Sequence, residues 1–454
     1  MCIRDSPNVA RENGETPLMA ACRLGQANTV KLLLARGANP NAKDRKFEKT
    51  ALMWAMGHPE IVRMLLDKGA DVKPVTKSWD VKYTIYIPTT VTLGKTGIPW
   101  NNDGQYASRK GGLNALFFAV QKHDLESARM LLDKGLDPNQ PSADGTTPLL
   151  AALYNWDQPK ETFVPGRGAP AAAGSSQKFR ADLAMAKLLL DRGAKAVAVD
   201  GAGYTPLHGA ALAVANATLG LEFRRGGAYG GKAALLTIGR ADALAPKSDI
   251  EDGLAIVRRL LDGGADPNRP TLYPTAGPAG DVRINPAPPG SSAFHIAASS
   301  RNLQLLKLLA ERGGNPNQLR KDGHTPFSVA VMAGDRAAAE ELLTRGADLN
   351  MLYSPTEKIP DPVEPITLPR QNQSILHIAA LGGSPEVIEF LHAKGARSDL
   401  KNSSGETPLD LADHQERYRE AIEKQGAEGD AKKIAAIKRK TVVTDAFRKV
   451  VGAR

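Results

Sequence analysis

The sequence predicts an all-α solenoid of stacked helix–turn–helix repeats with hairpin turns between them. Three observations predict this fold class: a period of about 33 residues, a proline just inside five of the first-helix starts, and a glycine after the second helices. The period is visible in the residues that begin each copy, because 34 residues separate Thr16 from Thr50. A spacing of 33 residues recurs between Ser292 and Thr325.

The first helix of each copy is predicted from a Thr-Pro pair or its equivalent. Proline has no backbone N–H to leave unsatisfied at the first helical position, and the preceding threonine hydroxyl can cap the helix. The residues that follow are small, such as Ala20 and Ala21, which allows close helix packing. We therefore expect a short helix to begin at each of Pro17, Pro148, Pro206, Pro326 and Pro408.

The second helix of each copy carries an apolar stripe, for example Val30, Leu33 and Leu34. The Asn-Pro-Asn or Ala-Asp-x-Asn residues after it indicate a turn that leads into the next copy. One copy cannot bury its stripe alone, so stacked copies are expected to share a continuous core. The helices are expected to end before a left-handed glycine at Gly37, Gly69, Gly135, Gly193, Gly313, Gly346 and Gly395.

The repeated motifs read GETPLMAA from Gly14 and YTPLHGAA from Tyr204, and the second signature reads KLLLARGANPN from Lys31. This pattern resembles the ankyrin repeat family, whose signature is T-P-L-H-x-A at a period near 33. The resemblance implies a single array of eight to nine repeats over residues 7–454. It also implies that the histidines of the T-P-L-H position hydrogen-bond backbone at the inter-repeat turn, namely His208, His295 and His377.

Five segments depart from the period and are predicted to be insertions, which in repeat proteins often lie on a binding face. An array with an aromatic insertion after its second visible repeat and a split fifth repeat is similar to a group of uncharacterised bacterial ankyrin proteins. Members of that group often carry export signals. The insertions are an aromatic one at 74–111, inter-helix ones at 156–180 and 216–250, and Pro-rich inter-repeat ones at 270–290 and 352–372.

The insertion at 74–111 is the candidate partner-binding segment. Its alternation of Val81, Tyr83 and Ile85 predicts a β-strand. Large aromatic residues are favoured at interface hot spots. They either anchor a partner or bury one another in an irregular hairpin, and the sequence leaves both readings open. The candidate partner-binding residues are Trp79, Tyr83, Tyr86, Trp100 and Tyr106.

The motifs of catalysis and of metal or cofactor binding are absent or incomplete in the sequence. Gly226–Lys232 fits G-x-x-x-x-G-K, but Ala233 stands where a phosphate-binding loop has Ser or Thr for Mg²⁺. This departure favours a flexible glycine loop, and a nucleotide-binding or enzymatic site at Gly226–Lys232 remains the alternative. No H-E-x-x-H or G-x-S-x-G motif occurs, and Cys2 and Cys22 are the only cysteines. We therefore predict a non-enzyme with no catalytic residue, cofactor or metal.

The positive charge is concentrated at the C-terminal end of the chain. The formal net charge is +10, and Lys424–Arg454 alone contains nine Lys or Arg against three Asp or Glu. Residues 424–454 are predicted to form basic capping helices, because solenoids need a terminal element with a polar outer face. The alternative is a nucleic-acid or anionic-membrane binder that acts through this tail.

The repeat architecture favours a non-catalytic protein–protein interaction scaffold that binds its partner on the hairpin and inner-helix face. The expected partner is a protein of unknown identity, and a monomer without a small-molecule substrate is expected. Nucleic acid and membrane surfaces are disfavoured as partners, since the charge lies mostly in the tail. Residues Met1–Ser6 read MCIRDS and match no repeat element, which suggests a missing native N-terminus. An extracytoplasmic location with a lost signal peptide is therefore one expectation, and a cytoplasmic location is the other.

Overall fold

The chain is described as two compact units in a computed structural model. The first unit comprises Met1–Thr84, Gly104–Asp266 and Leu272–Pro286, and the second comprises Ile85–Asp103, Pro267–Thr271 and Ala287–Arg454. The residues described are 6–86, 102–154, 177–178, 182–201, 203–219, 221–225, 236–240, 247–272, 290–354, 371–382, 384–414 and 443–450.

The first unit is a succession of helix pairs, as the sequence predicts. The first helix of each pair packs against the first helix of the next pair, and the second helices do the same. The helices are α1 (Pro17–Arg23), α2 (Ala27–Ala35), α3 (Ala51–Trp54), α4 (Pro59–Asp67), α5 (Ala115–Gln121), α6 (Leu125–Asp133), α7 (Pro148–Leu153), α8 (Leu183–Asp191), α9 (Pro206–Leu219) and α10 (Lys247–Asp262).

The second unit repeats the same arrangement of helix pairs. Helical residues 408–414 and 443–450 follow its last complete pair. The helices are α11 (Ala293–Ser299), α12 (Leu303–Glu311), α13 (Pro326–Met332), α14 (Arg336–Thr344), α15 (Ile375–Gly382) and α16 (Pro385–Ala393).

The start and stop signals read from the sequence are confirmed. The Thr16 hydroxyl accepts a hydrogen bond from the Met19 N–H at 3.2 Å, and Pro17 takes the first helical position. The seven glycines predicted to end second helices all have positive φ, between 79° and 94°. At Gly313, for example, φ is 87°, a left-handed conformation that costs a residue with a Cβ about 1–2 kcal/mol.

Each core is a column of apolar side chains shared between neighbouring repeats. The leucine of the T-P-L position is almost completely buried at Leu18, Leu52 and Leu116. Leu65 and Leu131 of the second helices are buried equally well. Since these side chains lie between successive helix pairs, burial depends on the neighbouring repeat, as expected for a solenoid.

The aromatic insertion leaves the repeat as a two-stranded ribbon of β1 (Trp79–Tyr86) and β2 (Asn102–Lys110). The strand predicted from the alternating residues is thereby confirmed. At its base, the Thr76 N–H donates to the Leu113 carbonyl at 2.9 Å, and the Gly112 N–H donates to the Thr76 carbonyl at 3.1 Å. These two bonds join the two ends of the aromatic insertion, so the repeat resumes directly after it.

Two further insertions contribute strands to one sheet. Strands β3 (Gln177–Lys178), β4 (Leu221–Arg225) and β5 (Leu236–Arg240) form an antiparallel sheet in that order. Helices α9 and α10 extend into both ends of the predicted insertion 216–250. The remaining residues of insertions 156–180 and 216–250, and most residues of 270–290 and 352–372, lie outside the described residues.

The T-P-L-H histidines are structural, which confirms the expectation drawn from the family resemblance. His295 Nδ1 accepts from the Ser292 backbone N–H at 3.2 Å and lies 2.8 Å from the Ser292 hydroxyl. Because Nδ1 is an acceptor, the neutral ring carries its proton on Nε2, which donates to the Gln318 carbonyl at 3.0 Å. His377 repeats this pattern, with Nε2 2.9 Å from the Glu406 carbonyl.

Asparagine side chains clamp successive repeats together. The Asn317 amide donates to the Gly346 carbonyl at 2.8 Å, and its Oδ1 accepts from the Asp348 N–H at 2.8 Å. One side chain thus satisfies both a backbone carbonyl and a backbone N–H in the turn that follows the next second helix. The same pair of bonds is made by Asn8, Asn41, Asn139 and Asn268 to the repeat that follows each.

Backbone hydrogen bonds join the hairpin turns at the opposite end of each repeat. The Arg45 N–H donates to the Asn13 carbonyl at 2.9 Å, and the Lys77 N–H donates to the Phe47 carbonyl at 2.8 Å. Neighbouring turns are therefore held in fixed register. The same contact joins Ala143 to Gly111 and Gly201 to Asp144.

The C-terminal helical residues 443–450 pack against the last described repeat. Phe447 is fully buried, and Val450 is nearly so. Arg448 pairs with Asp413 at 2.9 Å. Lys449 pairs with Glu389 of α16 at 2.7 Å. Residues 415–442 and 451–454 of the predicted capping segment lie outside the described residues.

Replacing Asn317 with alanine should lower the free energy of unfolding by about 1–2 kcal/mol, because two inter-repeat hydrogen bonds are lost and their backbone partners remain. Chemical denaturation followed by circular dichroism measures this change. Asn350→Ala is the matched control, since Asn350 is exposed and its side chain makes no such clamp among the described residues. We expect the control to change stability by less than about 0.5 kcal/mol. Equal effects in the two variants would contradict the clamp.

The stability of the second unit should fall with acid partly through His295. Burial, followed by the nearby Arg320 charge, lowers the pKa of His295 from 6.5 to about 3. Below pH 6.5 the unfolded chain binds a proton that the folded chain excludes until about pH 3, so the stabilisation is complete above pH 6.5 and is lost as the pH falls. Denaturant titrations between pH 7 and pH 4 should show a shallower pH dependence for His295→Gln than for the wild type or for His392→Gln. Identical slopes in His295→Gln and wild type would refute this origin.

Candidate functional site

We call the first helix of each pair the inner helix and the second the outer helix. Half-exposed aromatic rings surround a lysine on the inner helices and hairpin turns of the first unit. We call this group the aromatic–cation cluster. The rings come from two inner helices, one turn and the start of β1, so distant parts of the sequence meet at one surface. Its members are Arg23, Phe47, Lys49, Trp54, Trp79 and Phe118.

Lys49 is the centre of the cluster. Its Nζ lies 4.2 Å from the centre of the Trp54 ring, 5.0 Å from that of Phe118 and 5.6 Å from that of Phe47. Lys49 directly precedes Thr50, the residue that caps α3, and a β-bridge between Lys43 and Thr50 closes the turn that carries it. An ammonium group near aromatic faces is stabilised by about 0.5–1 kcal/mol at exposed sites.

The inner helices position two rings of the cluster. Trp54 ends α3, and Phe118 lies in the middle of α5. Both rings are half-buried, so each keeps part of its face open to solvent. The Arg23 guanidinium carbon lies 6.0 Å from the Trp54 ring centre and extends the cluster along the inner helices.

The aromatic insertion reaches the cluster through Trp79. Its ring centre lies 5.6 Å from that of Phe47 at an angle of 45°, and 41% of its surface remains exposed. Trp79 is the predicted site residue whose side chain is described. Tyr83 and Tyr86 lie in β1 and Tyr106 in β2, but their side chains lie outside the described residues, as does the whole of Trp100.

The last residue of β2 anchors the ribbon to the following repeat. Lys110 is completely buried, and its Nζ lies 3.7 Å from Asp144 Oδ2. The Asp144 carboxylate also accepts from the Ser142 hydroxyl at 2.6 Å, so its position is fixed within its own turn. A buried lysine is tolerated only with such partners, which ties the base of the ribbon to the array.

Three observations on the described residues concern a thiol, metal binding and membrane insertion. Burial raises the pKa of the Cys22 thiol to about 12, so it is protonated and unreactive at neutral pH. Within the described ranges, no three His, Cys, Asp or Glu side chains are arranged to hold a metal ion. None of the described helices has both the length and the apolar character needed to cross a bilayer. The Gly226–Lys232 loop lies outside the described residues.

Sequence reasoning missed Trp54 and Phe118 as candidate site residues. A usable signal was present, because both stand four residues after the first residue of their copy. Ala20 and Ala151 occupy that position in the first and fourth copies. Alignment of the first four copies therefore shows aromatic residues in place of alanine at one position of two adjacent repeats.

Comparison with protein-family models places ankyrin repeats along much of the chain. A model described as "Ankyrin repeats (3 copies)" matches residues 2–76 and 250–352. Models described as "Ankyrin repeats (many copies)" match residues 112–157 and 361–412. A structure search matches the human ASB11 ankyrin repeat domain, with 18% identity, a TM-score of 0.40, and coverage of 74% of this chain and 96% of that one.

Curated relatives are similar to parts of this chain. Cyclin-dependent kinase 4 inhibitor B of Bos taurus is 32% identical over 124 residues, which are 27% of this chain and 82% of that protein. Cyclin-dependent kinase inhibitor 2A of Monodelphis domestica is 36% identical over 126 residues, 28% of this chain and 64% of that protein. These relatives are eukaryotic, so the matches do not show the bacterial origin expected above. The repeat models and these relatives together show that the chain belongs to the ankyrin repeat family.

Proposed function

We propose that this chain is a non-catalytic protein-binding scaffold whose partner lies on the face formed by the hairpin turns and inner helices. Ankyrin repeats are general protein–protein interaction modules, and this supports the class of function. The observation that carries the choice of face is the aromatic–cation cluster. It exposes parts of two side chains on adjacent inner helices, Trp54 and Phe118, at a position where the first and fourth copies have alanine.

The rigidity of the cluster supports this proposal. Backbone hydrogen bonds between turns fix Phe47 relative to Lys77, and the capped inner helices fix Trp54 and Phe118. Backbone that is already ordered loses little entropy when a partner binds. A preformed aromatic surface is therefore suited to contribute hot-spot contacts.

The aromatic insertion is proposed to extend the same face. Trp79 is exposed and already packs on Phe47, so the start of β1 adds area to the surface of the inner helices. Tyr83, Tyr86, Trp100 and Tyr106 of the same insertion stay proposed partner-binding residues.

The basic tail is proposed to cap the array rather than to bind nucleic acid or lipid. Its described residues Arg448 and Lys449 already pair with carboxylates of the preceding repeat, and Phe447 is buried. These contacts support a structural role for the segment.

The names of the matched relatives describe inhibitors of cyclin-dependent kinases, so those relatives have a protein target. By analogy, the partner proposed for this chain is also a protein.

Replacing Trp54 and Phe118 together with alanine should weaken partner binding by about 2 kcal/mol or more, roughly 30-fold in Kd, because the central anchors are removed. The partner is first captured from an extract with the full chain and purified, and its affinity is then measured by calorimetric titration.

Leu32→Ala is the matched control, because Leu32 lies on the outer helix α2 and is 50% exposed. It should leave the affinity unchanged. Melting curves must show that the double variant remains folded. A folded double variant that binds as tightly as the wild type would overturn the choice of face.

A further inference from the structure

Cationic side chains line the hairpin turns beside the aromatic–cation cluster. The turn at residues 43–49 contains four Lys or Arg against two carboxylates. The backbone bonds between turns set Arg45 beside Asn13 and Lys77 beside Phe47. Arg45, Lys46 and Lys77 are all exposed, so the positive charges follow one another along the turns of adjacent repeats.

The carboxylates within this turn are already engaged. Asp44 is buried, and its Oδ1 accepts from the Phe47 N–H at 2.7 Å. Glu48 pairs with Lys43 at 3.4 Å. The Arg45 guanidinium donates to a backbone carbonyl, that of Glu12, at 3.3 Å. Among the described residues, no carboxylate lies within ion-pair distance of Arg45, Lys46 or Lys77.

The cations and the aromatic rings form one surface. The Lys46 Nζ lies 4.9 Å from the Phe47 ring centre, and Phe47 in turn contacts Trp79. Lys49 lies near the same Phe47 ring and near Trp54 and Phe118 of the inner helices. A partner on this face therefore meets apolar rings flanked by a row of positive charges.

We propose that the surface binds an acidic protein segment in which carboxylates alternate with apolar or aromatic side chains. The carboxylates pair with Arg45, Lys46 and Lys77, and the apolar side chains lie on Trp54 and Phe118. This inference rests on the proposed function and adds the chemistry of the partner to it. Charge complementarity selects an acidic partner, because a cationic segment would be repelled by the same row.

The local charge favours a protein segment over nucleic acid. Specific and non-specific nucleic-acid binding commonly uses about 6–10 phosphate contacts from cationic side chains. The surface offers three exposed cations without carboxylate partners among the described residues, and Glu12 and Asp80 are exposed nearby. Three cations match a short acidic segment and are few for a phosphate backbone.

The test uses the full chain and fluorescein-labelled synthetic peptides in which Glu alternates with Phe and Leu. Two comparison peptides replace every Glu with Gln or with Lys, and a labelled single-stranded oligonucleotide is the fourth probe. Fluorescence anisotropy titrations at low and high salt give the affinities. The Glu peptide should bind most tightly, and added salt should lower its affinity because exposed ion pairs are screened.

Reversing the three charges with Arg45→Glu, Lys46→Glu and Lys77→Glu should lower the affinity for the Glu peptide by about tenfold or more and raise the affinity for the Lys peptide. The matched control is Lys31→Glu, Arg36→Glu and Lys68→Glu. It makes the same change in net charge at exposed positions on or beside the outer helices α2 and α4. It should leave the affinity for the Glu peptide nearly unchanged.

Several results would overturn the inference. The inference fails if the Gln and Glu peptides bind equally or if the Glu peptide does not bind. It also fails if the two triple variants lose equal affinity for the Glu peptide, or if the oligonucleotide binds more tightly than that peptide. If the Gln peptide binds as well as the Glu peptide and both are lost in Trp54→Ala with Phe118→Ala, the proposed face stands and only the acidic specificity fails. If the captured partner still binds the variant Trp54→Ala with Phe118→Ala, that result would instead contradict the proposed face.

Discussion

The contact between neighbouring repeats is the constraint on which the rest of the structure depends. One helix pair exposes its apolar stripe on both sides, so it is stable only between neighbours. Two sets of polar contacts hold those neighbours in register. An asparagine such as Asn41 satisfies both the Gly69 carbonyl and the Asp71 N–H of the next repeat. At the other end, backbone bonds such as Arg45 to Asn13 join the turns.

This register explains how the array tolerates long insertions. Asn139 clamps Gly193 although the segment between them includes the insertion at 156–180, and Asn268 clamps Gly313 across 270–290. The repeats on either side of each insertion therefore stay in register, since the contacts that join them are made by repeat residues. Under the proposed function, the same contacts would preorganise the turns and inner helices that carry the aromatic–cation cluster.

The sequence was sufficient where the determinants are local or recur in every copy. Helix starts at Thr-Pro pairs and helix ends at Gly313 and its equivalents depend on residues within a few positions, and the His295 network recurs with the motif. For the clamp asparagines, the sequence predicted only a turn. Their inter-repeat bonds could not be predicted, because the carbonyl that Asn317 binds lies on the next repeat. The cluster was missed for a similar reason, since Lys49 and Phe118 meet only after two repeats and the aromatic insertion have folded.

Hydrogen exchange at single amides tests the inter-repeat clamp most directly. The amides to follow are those that donate to clamp oxygens from exposed turns: Asn39, Asp71, Lys195, Asn315 and Asp348. The Lys46 amide is the reference, since it has no acceptor among the described residues. If the clamp holds neighbouring repeats in register, the five amides should exchange about as slowly as those of the adjoining helices. Exchange as fast as that of Lys46 would show that the clamps open independently of the helices and would contradict the account.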